Sequence, residues 1–136
     1  MRAVLSLLPV LLAGAAIAAI SPSRASAEDL SGTWSVSGTI ISNGRMVGSA
    51  TPVCTFQQAG SRLAGTCQGP NGMGPVLGTT NGSNVFWRWH NTATTARGIT
   101  TTITFRGTIG PDEVIRGAMT FGSMPWLVGS FTQQRQ

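Results

Sequence analysis

Val53-Cys54-Thr55-Phe56-Gln57-Gln58-Ala59-Gly60-Ser61-Arg62-Leu63-Ala64-Gly65-Thr66-Cys67 contains the shortest argument for the fold. Taking Gly60-Ser61 as a two-residue hairpin loop places Gln58 opposite Leu63, Phe56 opposite Gly65 and Cys54 opposite Cys67. Counted outward from the turn, the cysteines fall at a non-hydrogen-bonded position, where Cα atoms lie about 4.5 Å apart, inside the range a disulfide accepts. Closing a loop of about 14 residues contributes roughly 3 kcal/mol by restricting the unfolded chain. The competing reading is a reactive or metal-binding thiol pair. The spacing fits no compact thiol motif, however, and two cysteines alone do not complete a structural zinc site. The pair is therefore read as a structural disulfide, which an oxidising, exported setting favours.

Outward from this hairpin the same grammar repeats. Runs rich in Val, Ile, Thr, Phe and Trp alternate with Gly, Asn and Pro clusters, and no helical period interrupts them. The spacing predicts strands at 32–41, 46–57, 62–68, 75–80, 84–90, 98–109, 114–121 and 126–133. Asn43-Gly44 and Asn81-Gly82 suit two-residue hairpins, since both residue types tolerate positive φ. Pro111-Asp112 suits the centre of a type I turn, Gly69-Pro70-Asn71-Gly72 reads as a loop, and Pro52 marks a bulge or edge kink in the second strand. With consecutive hairpins and no helix to cover an edge, closure into an eight-stranded antiparallel up-and-down β-barrel is the simplest all-β solution. A two-sheet β-sandwich is the alternative.

The N-terminus lies outside this pattern. Met1-Arg2 precedes an apolar run from Ala3 to Ile20, and Ser21-Pro22-Ser23-Arg24 leads into Ala25-Ser26-Ala27, a small-x-small cleavage site. An uncleaved anchor competes, because the run approaches membrane-spanning length. The helix breaker and cleavage site directly after it decide for a cleavable signal peptide over 1–27, with a single domain over 28–136. No Cys near the junction offers a lipidation site, so the expected destination is the periplasm or the exterior, with no membrane span in the mature chain.

Composition narrows the chemistry. All nine basic residues are Arg, and Tyr is absent. Beyond residue 27, seven Arg (45, 62, 88, 97, 106, 116, 135) stand against Glu28, Asp29, Asp112 and Glu113, a balance of +3. These arginines are dispersed rather than clustered with aromatics, which argues against a nucleic-acid partner. General acid–base work needs a positioned titratable group. Here His90 is the single histidine, Asp112 and Glu113 are neighbours in a turn, and no Gly-x-Ser-x-Gly elbow exists. The expectation is a non-catalytic protein, without cofactor or metal site.

Alternation assigns the faces. Val85, Trp87 and Trp89 share one side of their strand, opposite Phe86, Arg88 and His90; Ile99, Thr101, Ile103 and Phe105 share one side of the next; Ile115, Met119 and Phe121 share one side of the seventh. Two readings stand for this aromatic interior. An eight-stranded barrel is just wide enough to be filled by its own side chains, or to hold one small ligand. On the second reading Val85, Trp87, Trp89, Ile103, Phe105 and Phe121 line a site for a small apolar molecule, with room left by inward Gly65, Gly78, Gly107 and Gly117. Outside, Arg106 opposite Arg116 reads as a solvated face, or as an anion- or membrane-facing patch.

Leu30-Ser31-Gly32-Thr33-Trp34 resembles the Gly-x-Trp opening of lipocalins and the Gly-Thr-Trp opening of avidins. Both are eight-stranded up-and-down barrels of the calycin type. The lipocalin likeness implies that Trp34 packs at a closed end beneath a late arginine, a role that falls to Arg135 as a cation–π contact. Biotin binding does not carry over, because the Tyr and the late Trp-plus-Asp pair of avidins have no counterparts here. The same opening followed by two cysteines is similar to small periplasmic inhibitors of bacterial metalloproteases. That resemblance implies a protease as partner, blocked by Glu28-Asp29-Leu30. The Cys54–Cys67 hairpin also resembles many exported proteobacterial proteins of no assigned role.

Overall fold

The computed structural model describes residues 29–70, 72–92 and 100–136. The expected signal segment 1–27, Glu28, Asn71 and the 93–99 connection with Arg97 and Ile99 lie outside the described residues. Nine strands follow in order: β1 (Gly32–Ser42), β2 (Arg45–Ala50), β3 (Val53–Ala59), β4 (Arg62–Gly69), β5 (Gly72–Asn81), β6 (Asn84–Thr92), β7 (Thr100–Ile109), β8 (Ile115–Phe121) and β9 (Leu127–Arg135). They form one antiparallel sheet, which pairing of β1 with β9 closes into a barrel. The sandwich alternative is thereby set aside.

Nine strands make eight staves because β2 and β3 lie end to end along one edge of β1. Gly38↔Ala50 and Ser35↔Val53 belong to one register, and Val36 N–H donates to Pro52 C=O at 3.0 Å across the gap. The expected second strand is thus split at Thr51-Pro52, where proline has no N–H to give a ladder. A bulge lies further along β2, with Ile40 facing Gly48 and Ile41 facing Met46, so that Val47 is the extra residue.

Local turn chemistry sets most registers. Asn43 and Gly44 have φ of 51° and 76°, as a type I′ hairpin requires. Cys54 pairs with Cys67 around Gly60-Ser61, and the disulfide joins Cα atoms 4.0 Å apart. Two expectations fail. The β5–β6 loop is Gly82-Ser83, since Asn81 pairs with Asn84 and Gly82 carries the positive φ. Arg106 faces Ala118 and Arg116 faces Thr108, not each other. The Pro111-Asp112 turn closes with Glu113 N–H donating to Gly110 C=O, but Glu113 itself adopts φ 61°, and the longer loop moves the register by two residues.

Inward alternation places Trp34, Phe56, Trp87, Phe105, Met119 and Phe131 in one buried cluster. Trp87 stacks on Phe105, with Phe131 edge-on to Phe105 at 5.1 Å. The inward glycines expected to leave room instead mark close backbone approach. A Cβ on Gly117 would lie 1.8 Å from Arg106 O, and one on Gly78 would lie 2.3 Å from Phe86 O. They let the strands coil tightly around a filled centre.

Candidate ligand cavity

The two ends of the barrel differ. The end holding the 60–61, 82–83 and 110–114 turns is plugged by the N-terminal segment. Leu30 is buried beneath Trp34, whose Nε1–H donates to Leu30 C=O at 2.9 Å, and Leu30 N–H donates to Gln58 Oε1 at 2.8 Å. Arg135 lies 4.5 Å over the Trp34 ring and donates to the carbonyls of Ser31 and Asp29. The Asp29 carboxyl is held below its ordinary range by the Ser31 hydroxyl, then by the Ser31 N–H and Arg135. Asp29 and Leu30, two of the three residues expected to meet a protease, are therefore folded against the barrel.

The opposite end holds a cavity of about 370 Å³. Its floor is Trp89, Ile103 and Phe121, and its walls include Ile40, Met124 and Leu127. Strand geometry explains the floor: Trp89 pairs with Ile103, and Ile103 with Phe121, so the three form one inward row across β6, β7 and β8. The wall at Met124 is made by two successive turns, Met124 N–H to Phe121 C=O and Leu127 N–H to Met124 C=O, which fold 122–126 back toward the mouth. Asn91 continues the inward face of β6 beyond Trp89 and also lines the cavity. Its Oδ1 and the Trp89 Nε1–H have no hydrogen-bond partner among the described residues. Unpaired buried polar atoms of this kind cost about 1–3 kcal/mol each, and a native protein needs a reason to keep them.

Of the six residues expected to line a ligand site, three meet at the cavity and three do not. Trp87 and Phe105 lie one row deeper, packed against each other and Phe131. Val85 lies deeper still, beside a trough on the outer wall. Sequence reasoning missed Ile40, Asn91, Met124 and Leu127. Alternation carried one step past His90 reaches Asn91; nothing in the local sequence announces Met124.

On the outer wall, Arg88 and Arg106 lie 5.2 and 4.7 Å from the centre of the Phe86 ring. Arg116 is bound instead by Asp112, with Nη2 to Oδ2 at 2.8 Å. That pairing, with the Val114 N–H second, holds the Asp112 carboxyl below its ordinary value of 3.8. His90 points outward and shares a 3.2 Å hydrogen bond with Thr102 Oγ1. Among the described residues no three His, Cys, Asp or Glu side chains gather as a metal site, and no helix is long and apolar enough to cross a membrane.

Fold and cavity together define a disulfide-closed, eight-stranded antiparallel barrel, open at one mouth, with a strand plan consistent with calycins. Comparison with family models, curated proteins and solved structures finds no match for this chain. The disulfide fits a protein that folds in an oxidising, exported setting.

Proposed function

We propose that this protein is a non-catalytic, exported barrel that binds one small, mainly apolar molecule in the mouth cavity. The observation that carries the reading is the cavity of about 370 Å³ floored by Trp89, Ile103 and Phe121. Its size falls within the range of small-molecule sites, which are mainly apolar with a few polar groups. The polar residues of its lining are Asn91, Ser49, Thr51 and Thr101. The lipocalin and avidin likeness supports the same role, since those barrels carry their ligands at one open end. On this reading residues 1–27 are removed on export and the protein works in the periplasm or outside the cell. Inhibition of a protease through Glu28-Asp29-Leu30 has less support, because Leu30 is buried and Asp29 is tied down by Arg135.

The test is titration with a neutral apolar fluorophore such as N-phenyl-1-naphthylamine. Saturable binding to the parent protein, abolished by the cavity-filling Ile103→Trp, supports the reading. Binding that does not saturate, or that Ile103→Trp leaves intact, would sink it.

A further inference from the structure

The rim of the cavity mouth carries a surface that ligand binding does not explain. Met46, Ile41 and Val128 are register partners across three adjacent strands, Ile41 facing Met46 on one side and Val128 on the other. Met46 is 69% exposed, Val128 50%, and the bulge residue Val47 58%. Trp126, 61% exposed, sits immediately before Leu127, and Leu127 pairs with Ser42 at the tip of β1. Arg45 pairs with the same Ser42 from the other side. Trp126 and Arg45 therefore bracket one hairpin tip, above an apolar band.

We propose that this rim docks on an anionic lipid bilayer, with Trp126, Met46 and Val47 entering the headgroup layer and Arg45 pairing with lipid phosphate. Three observations select a bilayer over other occupants. An exposed Trp beside aliphatic side chains suits an interface that is apolar on one side and wet on the other. The acidic groups are segregated along the barrel: Asp29, Asp112 and Glu113 all lie at the plugged end, together with Arg62, Arg116 and Arg135. Arg45 is the only permanently charged side chain that the described residues place at the open rim. A second copy pairing along the free edge of β2 is disfavoured, because that edge is six residues long, bulged at Val47 and headed by Arg45. The docking stands on residues outside the cavity floor and does not depend on the cavity being filled.

Trp126 reports on its own contact, because the other three tryptophans, Trp34, Trp87 and Trp89, are at most 3% exposed. The protein, in the form the cell accumulates, is mixed with vesicles of equal parts phosphatidylglycerol and phosphatidylcholine. Tryptophan emission is expected to shift to the blue, and the protein to sediment with the vesicles, with far weaker binding to phosphatidylcholine alone. Trp126→Ala is expected to weaken partitioning on the order of tenfold, the ratio that 1.4 kcal/mol represents. Arg45→Gln is expected to weaken it roughly fivefold, as for one basic residue near an anionic surface. Absence of both shift and sedimentation overturns the proposal, as does binding that neither substitution alters. So does a blue shift that grows with protein concentration in the absence of vesicles and accompanies a dimer mass, since the rim then belongs to a second copy. Loss of fluorophore binding with vesicle binding intact removes the ligand reading alone.

Discussion

The Trp87 indole lies flat on the Phe105 ring, with 3.7 Å between centroids and 4° between planes. The two are cross-strand partners on β6 and β7, and Phe56 meets the same indole edge-on at 5.3 Å. This stack divides the barrel interior. Toward the plugged end side chains fill the space; one row toward the open end, Trp89 and Ile103 begin the cavity floor. The Trp87 Nε1–H has no partner among the described residues, so ring packing outweighs hydrogen bonding at this level.

Trp87→Ala is expected to cost about 3–5 kcal/mol, the usual penalty for emptying a large core site. Trp89→Ala is expected to cost less, because part of that side chain borders the cavity rather than packed atoms. Urea unfolding of the two variants makes the comparison, and equal losses would contradict a floor at Trp89.

Removing the staple with Cys54→Ala and Cys67→Ala together is expected to lower stability by about 2–4 kcal/mol. Unfolding midpoints of the double variant should match those of the reduced parent. A thiol assay on the untreated, unfolded parent should find no free cysteine.

Gln133 is fully buried and inward-facing, yet neither side-chain polar atom finds a partner among the described residues. Gln133→Met keeps the length of the side chain and removes two unsatisfied groups. It is expected to be neutral or stabilising by up to about 1 kcal/mol. A loss of stability would mean that the amide is satisfied by ordered water.

Asp112 sets a pH dependence of known sign. Its folded-state pKa lies below the ordinary value of 3.8, chiefly through the Arg116 side chain. Such a group adds stability above its unfolded pKa and loses that contribution as pH falls through the lowered folded value. Asp112→Asn is therefore expected to be slightly less stable than the parent near neutrality, and equal to it in strong acid. The effect is small because both partners are exposed. A gap that persists at low pH would assign it to the turn backbone instead.

The Cys54–Cys67 register was legible in the sequence because one two-residue turn determines every pair in that hairpin. The inward faces of β6, β7 and β8 were legible for a similar reason, since period-two alternation survives any shift of register by two. That same insensitivity hid the β7–β8 register. The residues stayed on their faces, but Glu113 in a left-handed conformation lengthened the loop and moved Arg116 from Arg106 to Thr108. The break at Pro52 was legible as an irregularity but not as a division into two strands. The cavity was least legible. Alternation tells which side chains point inward but not how deep each one sits, so Trp87 and Trp89 looked equivalent. Its wall at Met124 depends on two turns that bring 122–126 back toward the mouth, a tertiary event without a local signature.

Native mass spectrometry of the protein, isolated gently from its own cells, tests the central claim most directly. A non-covalent increment of one small molecule, released by mild activation and absent from Ile103→Trp, is the expected result. A bare polypeptide mass under the gentlest conditions, or an increment that Ile103→Trp retains, would contradict it.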